Sequence, residues 1–160
     1  MPLDTSAVYD IAANMLASVA DRLADAGLTV PDRQYVHGGD IAHDCEQLVV
    51  AVTDLVHAFP GEAAAVQFCS PPRHARFAVS LVRCVPVPQD DGTPPTAEAL
   101  DDAGAVTAAD VWSLAYVLWA GYQAGEWGAA CSTLLLGPVA VVGPEGGMVA
   151  VTAEVFLLIT

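Results

Sequence analysis

Apolar residues recur at Val8, Ile11, Ala12, Met15, Val19, Leu23 and Ala26, the three-and-four spacing that gives a helix one apolar face. The opposite face carries Asp10, Asn14, Asp21, Arg22 and Asp25. Asp4, Thr5 or Ser6 can cap the start and Gly27 supplies the stop, so a helix from about Ser6 to Ala26 should lie with one side against a sheet. Arg33 to His37, between Pro31 and Gly38-Gly39, reads as an edge strand or strand start. Two valine-rich runs follow, Cys45 to Val56 and Phe77 to Val85, and they read as neighbouring strands. In the first, Leu48, Val50, Val52 and Val56 should point one way and Val49, Ala51 and Leu55 the other. Neither set is polar, so this strand should be covered on both sides.

The segment between the two runs, Pro60 to Pro72, is rich in turn residues, with a helical turn possible at Ala63 to Val66. Pro86 to Pro95 cannot donate a regular hydrogen-bond ladder and is expected to project as a loop. Thr96 to Ala103 predicts a short helix, and Thr107 with Asp110 resembles a capping box that opens another. The stripe Val111, Leu114, Ala115, Leu118, Trp119 and Tyr122 is that helix's expected apolar side, with Gly125 or Gly128 as its end. Leu134 to Val142 and Met148 to Ile159 form a hairpin around Gly143 to Gly147, with Val149, Val151, Ala153, Val155, Leu157 and Ile159 on one face. Together these elements predict one compact α+β domain over residues 1–160. Its sheet should be mixed but mostly antiparallel and flanked by helices, with the first and third helices on one face.

Composition changes the picture in two ways. Hydrophobic residues make up 54% of the chain, yet the formal charge is -14 and there is no lysine. A chain this apolar and this small is expected to hide surface against other chains. All five basic residues, Arg22, Arg33, Arg73, Arg76 and Arg83, precede nine of the nineteen acids, so the later half is wholly anionic. Gripping nucleic acid needs clustered Lys or Arg, which excludes that class. No basic stretch precedes the first apolar segment, and the uncharged run from Glu126 to Glu145 is broken by Gly and Pro, so neither a secretory signal nor a membrane span is expected. Cys45, Cys69, Cys84 and Cys131 show no C-x-x-C spacing, and the expectation is buried free thiols in a reducing compartment. Cys45 and Cys84 belong to adjacent strands, which alone does not establish a bridge.

Candidate chemistry is sparse. His37, Asp40, His43, Asp44 and Cys45, with His57 and His74 elsewhere, are residue types that bind transition metals, but their spacing matches no ligand pattern. They leave one reading from the enzyme class, a metal-dependent hydrolase using His37, His43 and Asp44. No serine lies in a G-x-S-x-G elbow, and Gly143 to Gly147 lacks the Lys and Ser/Thr of a phosphate loop. No catalytic, cofactor or metal residue is therefore assigned. Arg73, Arg76 and Arg83, beside His74, form the local positive concentration, which reads either as a docking point for the acidic surface of a neighbouring copy or as the charged end of a strand. Trp112, Tyr116, Trp119, Tyr122 and Trp127 are expected in the core or at subunit contacts, and Gln89, Asp90 and Asp91 lie in the projecting loop.

Several pieces in order carry a resemblance. They are the amphipathic first helix, Arg33 to Val36 before a glycine, Asp44-Cys45-Glu46-Gln47-Leu48-Val49-Val50, and Arg76 to Val79 leading to Leu81-Val82-Arg83-Cys84-Val85-Pro86. A Pro-rich loop, a helix, and the Gly137-Pro138 to Gly147 segment with its alternating final strand complete the series. Over nearly its whole length the chain resembles the tail terminator proteins of long-tailed (siphovirus) actinobacteriophages. The resemblance implies a structural protein of the virion neck, assembled in the host cytoplasm. It implies a homo-oligomeric ring, usually a hexamer, that caps the head-proximal end of the tail tube. Such a ring stops tube polymerisation, performs head-tail joining to the connector proteins, and lets DNA pass through its lumen without specific binding. Subunit or tube contacts are then expected at Arg73, Arg76, Arg83, Gln89, Asp90, Asp91, Trp112 and Trp119. A head-completion protein of the same junction shares a similar small plan and remains the alternative.

Overall fold

The first apolar stripe forms α1 (Thr5–Asp25), in which Ile11, Ala12, Met15, Val19 and Leu23 are buried. Each large side chain of that set contributes about 1.5–3 kcal/mol by leaving water. The computed structural model describes residues 5–42, 44–56, 74–128 and 131–159. After α1 come β1 (Arg33–Gly38), β2 (Gln47–Val56), β3 (His74–Cys84), α2 (Ala97–Gln123), β4 (Cys131–Glu145) and β5 (Met148–Ile159). The five strands form one sheet in the order β1-β2-β3-β5-β4. β1 pairs with β2 in parallel, and every other pairing is antiparallel. The fold is a single compact α+β domain, with β1 at one edge and β4 at the other.

α1 and α2 share one core with the sheet face made by Leu48, Val50, Phe77, Val79, Leu81, Val151, Val155 and Leu157. On the opposite face Gln47, Val49, Ala51, Ser80 and Val82 are also buried, so the first half of β2 is covered on both sides. Gln47 is satisfied there: Tyr35 donates its hydroxyl to Oε1 at 3.2 Å, and Nε2 donates to the Ala42 carbonyl at 2.8 Å. The second half of β2 differs, because Thr53, Asp54 and Leu55 are exposed. A bulge between Val52 and Asp54 sets Leu55 opposite the core residue Ala75 and Val56 opposite His74. Leu55, not Val56, thus shares the face of Leu48, Val50 and Val52, since one extra residue inverts the alternation beyond it.

Two further expectations change. The pattern predicts two helices between Thr96 and Gly125, whereas α2 runs through without a break. Thr96 is its cap, accepting at Oγ1 from the Ala99 N–H at 3.2 Å. Thr107 lies inside the helix and donates its hydroxyl to the Ala103 carbonyl at 2.9 Å, because the alanine-rich stretch before it is a good helix former and never opens into a cap. The buried stripe is Asp110, Leu114, Val117, Leu118 and Gly121, which leaves Trp119 on the outside. Second, Cys45 and Cys84 are joined in a disulfide with Cα atoms 5.3 Å apart, not left as buried thiols, and both residues are exposed. The register explains the pairing, since Gln47 opposite Val82 brings the flanking cysteines alongside. Cys131 is free and half-buried, and burial pushes its thiol above the ordinary value. Cys69 and the Pro60 to Pro72 connection lie outside the described residues.

The closing hairpin is tighter than the sequence suggests. β4 continues to Glu145, and the turn is Gly146-Gly147 alone, with φ of 58° and 77°. Two adjacent positive φ values are what a two-residue turn between twisted strands requires. Gly143 occupies a bulge in β4, where an added Cβ would stand 2.7 Å from the Met148 carbonyl oxygen.

Candidate functional site

Each of the four described arginines is held by an acid of the same chain. Arg83, only 6% exposed, grips Asp110 with two bonds, Nε to Oδ2 at 2.8 Å and Nη2 to Oδ1 at 3.1 Å. Its Nη2 also donates to the Thr29 carbonyl at 2.7 Å, so one guanidinium ties β3 to α2 and to the connection after α1. Arg22 binds Glu126 through Nε at 2.9 Å and Nη2 at 2.6 Å, and Ser18 donates to the same carboxylate at 2.5 Å. These contacts, Arg22 first and Ser18 second, hold the Glu126 carboxyl below the usual range, and Glu126 in turn raises Arg22. Arg76 is paired with Glu154 and lies over the Phe156 ring at 5.6 Å. Arg33 is paired with Asp44 and lies over Tyr35 at 5.5 Å.

Arg83 lies inside the fold, whereas Arg76 is paired with Glu154 on the sheet surface and keeps more than a third of its side chain exposed. Arg73 and His43 lie outside the described residues, as does His57. Asp44 is occupied by Arg33 and also accepts from the Cys45 N–H at 2.9 Å, while His37 stands edge-on to Tyr35 with centroids 6.3 Å apart. Among the described residues no group of three or more His, Cys, Asp or Glu is arranged to hold a metal ion. Gln89, Asp90 and Asp91 are exposed in a self-bonded turn, with the Gln89 N–H donating to Thr93 O at 2.9 Å and the Gly92 N–H to Gln89 O at 2.8 Å. Hydrogen bonds from Thr93, its hydroxyl foremost, keep the Asp91 carboxyl below its ordinary value.

What the structure brings to the surface is apolar. Trp112, Tyr116 and Trp119 stand on the outer side of α2 with exposures of 79%, 59% and 51%. The Tyr116 and Trp119 rings are 6.2 Å apart. Of the five aromatic residues expected at core or contacts, Trp127 alone is fully buried and Tyr122 is half-buried against it. α2 is also long and apolar enough, by length and composition, to cross a membrane, although its inner stripe is packed on the sheet. β4, the outermost strand, exposes Leu135, Val141 and Val142. A cleft of about 550 Å³ lies between the end of α1, the end of β3 and the first half of α2, lined by Leu28, Glu46, Arg83, Cys84 and Val106 among others.

Sequence reasoning missed the partners Asp110 and Glu126. A signal existed for the first: an arginine inside an apolar strand needs a counter-charge, and Asp110 is the one acid of α2 beyond its first two turns, standing just before the apolar stripe. Glu126 follows the helix and carries no comparable pattern. No protein-family model matches the chain, and no curated protein matches it either.

Proposed function

We propose that the chain is a structural virion subunit, a tail terminator that packs side by side with its own copies into a ring at the head-proximal end of the phage tail tube. The ring ends tube polymerisation and joins the tail to the head connector. One observation carries this reading: β4 is a 15-residue edge strand whose outer side has no partner among the described residues and which exposes three large apolar side chains. Such an edge is a template for another chain wherever it is not blunted: β4 carries no Lys or Arg, and although Pro138, Pro144 and three bulges interrupt it, residues 133–136 and 139–142 remain regular. β1 bounds the other side of the sheet, so contact between the β4 side of one copy and the β1 side of the next is head-to-tail, the type that closes into rings. The engaged arginines fit a lumen that does not hold DNA, since phosphate binding needs free cations.

The test substitutes Val141→Lys, which puts a charge on the edge strand at a half-exposed position opposite Val151. Wild-type protein should sediment as a closed oligomer, and the variant should keep its circular dichroism spectrum but sediment as a monomer. Particles made with the variant, or with Gln89 to Thr93 deleted, should show tails of abnormal length or unjoined heads. A wild-type chain that imaging of the virion neck finds as a monomer, or does not find there, overturns the proposal.

A further inference from the structure

The outer side of α2 is a single stripe of two chemical halves. Glu98, Asp101 and Asp102 are exposed near its start, and Trp112, Tyr116 and Trp119 are exposed toward its end. Their three-and-four spacing keeps them on one side of the helix, opposite the buried Asp110, Leu114, Val117 and Leu118. From Glu98 to Trp119 the stripe is about 30 Å long at about 1.5 Å per residue. Within the described residues none of its three aromatic residues is covered by half or more, so the stripe is open to solvent.

Charge decides which kind. The acidic half needs cations opposite it, and tryptophan and tyrosine faces also attract them. A second copy of this chain is a poor source. It has no lysine, and its four described arginines are each engaged by an internal acid, which leaves Arg73. We infer that the outer stripe of α2 is a docking surface for a segment of a different protein, one carrying both Lys or Arg and apolar side chains. An amphipathic helix of about 20 residues matches the length at the same rise per residue. Its basic residues meet Glu98, Asp101 and Asp102, and its apolar residues cover Trp112, Tyr116 and Trp119. The inference does not depend on the ring: β4 lies at the sheet edge, and α2 lies across the sheet's face.

The probe is a synthetic Leu/Lys amphipathic peptide of about 20 residues, matched to the length of the stripe, with a Leu/Glu peptide of the same pattern as control. Binding is read by tryptophan emission and by calorimetry on the full chain. The Leu/Lys peptide should shift the emission to the blue. W112A/W119A, which keeps every charge, should weaken it by about tenfold or more, as loss of buried aromatic anchors does. Glu98→Gln with Asp101→Asn and Asp102→Asn should weaken it and flatten its salt dependence, whereas neutralising the exposed Asp10, Asp32 and Asp40 should not. Equal binding by W112A/W119A, by the Leu/Glu peptide, or by both acid-neutralised variants overturns the inference. So does sedimentation showing that W112A/W119A dissociates a wild-type oligomer, which would make the occupant a second copy. Binding of the wild type to zwitterionic vesicles without binding to the peptide would make it a lipid surface and also overturn it.

Discussion

Replacing Asp110 with alanine strips the Arg83 guanidinium of two of its three bonds while leaving it 6% exposed, with the Thr29 carbonyl as its remaining described partner. A guanidinium cannot lose its proton to escape burial, so the cost falls on folding. Removing one partner of such a buried pair costs about 3–5 kcal/mol. At an unfolding entropy of about 2.1 cal/mol/K per residue, over 160 residues, that corresponds to a Tm lower by about 9–15 °C. The assay is thermal and urea unfolding by circular dichroism at one fixed protein concentration, because self-association would otherwise shift the midpoint. Arg83→Met should also destabilise, by stranding the carboxylate. The double variant Arg83→Met with Asp110→Leu removes both charges and should recover most of the loss, since well-packed apolar replacements of buried pairs are often neutral or better. An Asp110→Ala loss under about 1 kcal/mol would mean that water reaches the pair, as at exposed ion pairs. A double variant as unstable as the sum of the singles would mean that the two residues are not coupled. Either result would refute the reasoning.

Gly121→Ala should destabilise by about 1–3 kcal/mol in urea unfolding, because its Cβ would stand 2.4 Å from Ser18 Oγ and 3.0 Å from Trp127 Nε1. The depressed Glu126 carboxyl adds stability that is present above its ordinary value of 4.5 and is lost as pH falls through its lower folded value. Glu126→Gln should therefore flatten the fall of Tm with acidification below pH 4.5, and an unchanged slope would show that the group does not contribute. Cys45→Ser with Cys84→Ser, or reduction of the wild type, should lower the unfolding free energy by about 4 kcal/mol on chain-entropy grounds for a bridge spanning 39 positions. A urea midpoint indifferent to reductant would speak against a bridge in solution.

The elements themselves were largely legible, and what escaped was long-range. The spacing of Ile11, Met15, Val19 and Leu23 announced α1, and the alternation from Val149 to Leu157 announced β5, because one face of each is buried. Thr107 and Asp110 match a local capping signature, so the sequence pattern predicts two helices where α2 is one. Here tertiary pairing of Asp110 with Arg83 and the helix-forming alanines overrode it. The position of Trp119 was misjudged for a related reason. With Asp110 facing inward, the buried side rotates toward Val117 and Gly121 and turns Trp119 out. The bulge at Thr53 has no pattern of its own, and the Cys45–Cys84 bridge needed the register of β2 on β3. The exposure of Trp112 and Trp119 and the pairing of the arginines with Asp44, Asp110, Glu126 and Glu154 both depended on folded geometry.

The sheet order carries a kinetic consequence. β5 follows the other described elements in sequence, yet it is inserted between β3 and β4. On the ribosome, β1, β2 and β3 can zip together early, but the second side of β3 must wait, wet and sticky, until synthesis has passed α2 and β4. Closure of the sheet is thus postponed until β5 is synthesised, and until then the topology exposes an unpaired strand edge through which nascent chains can associate.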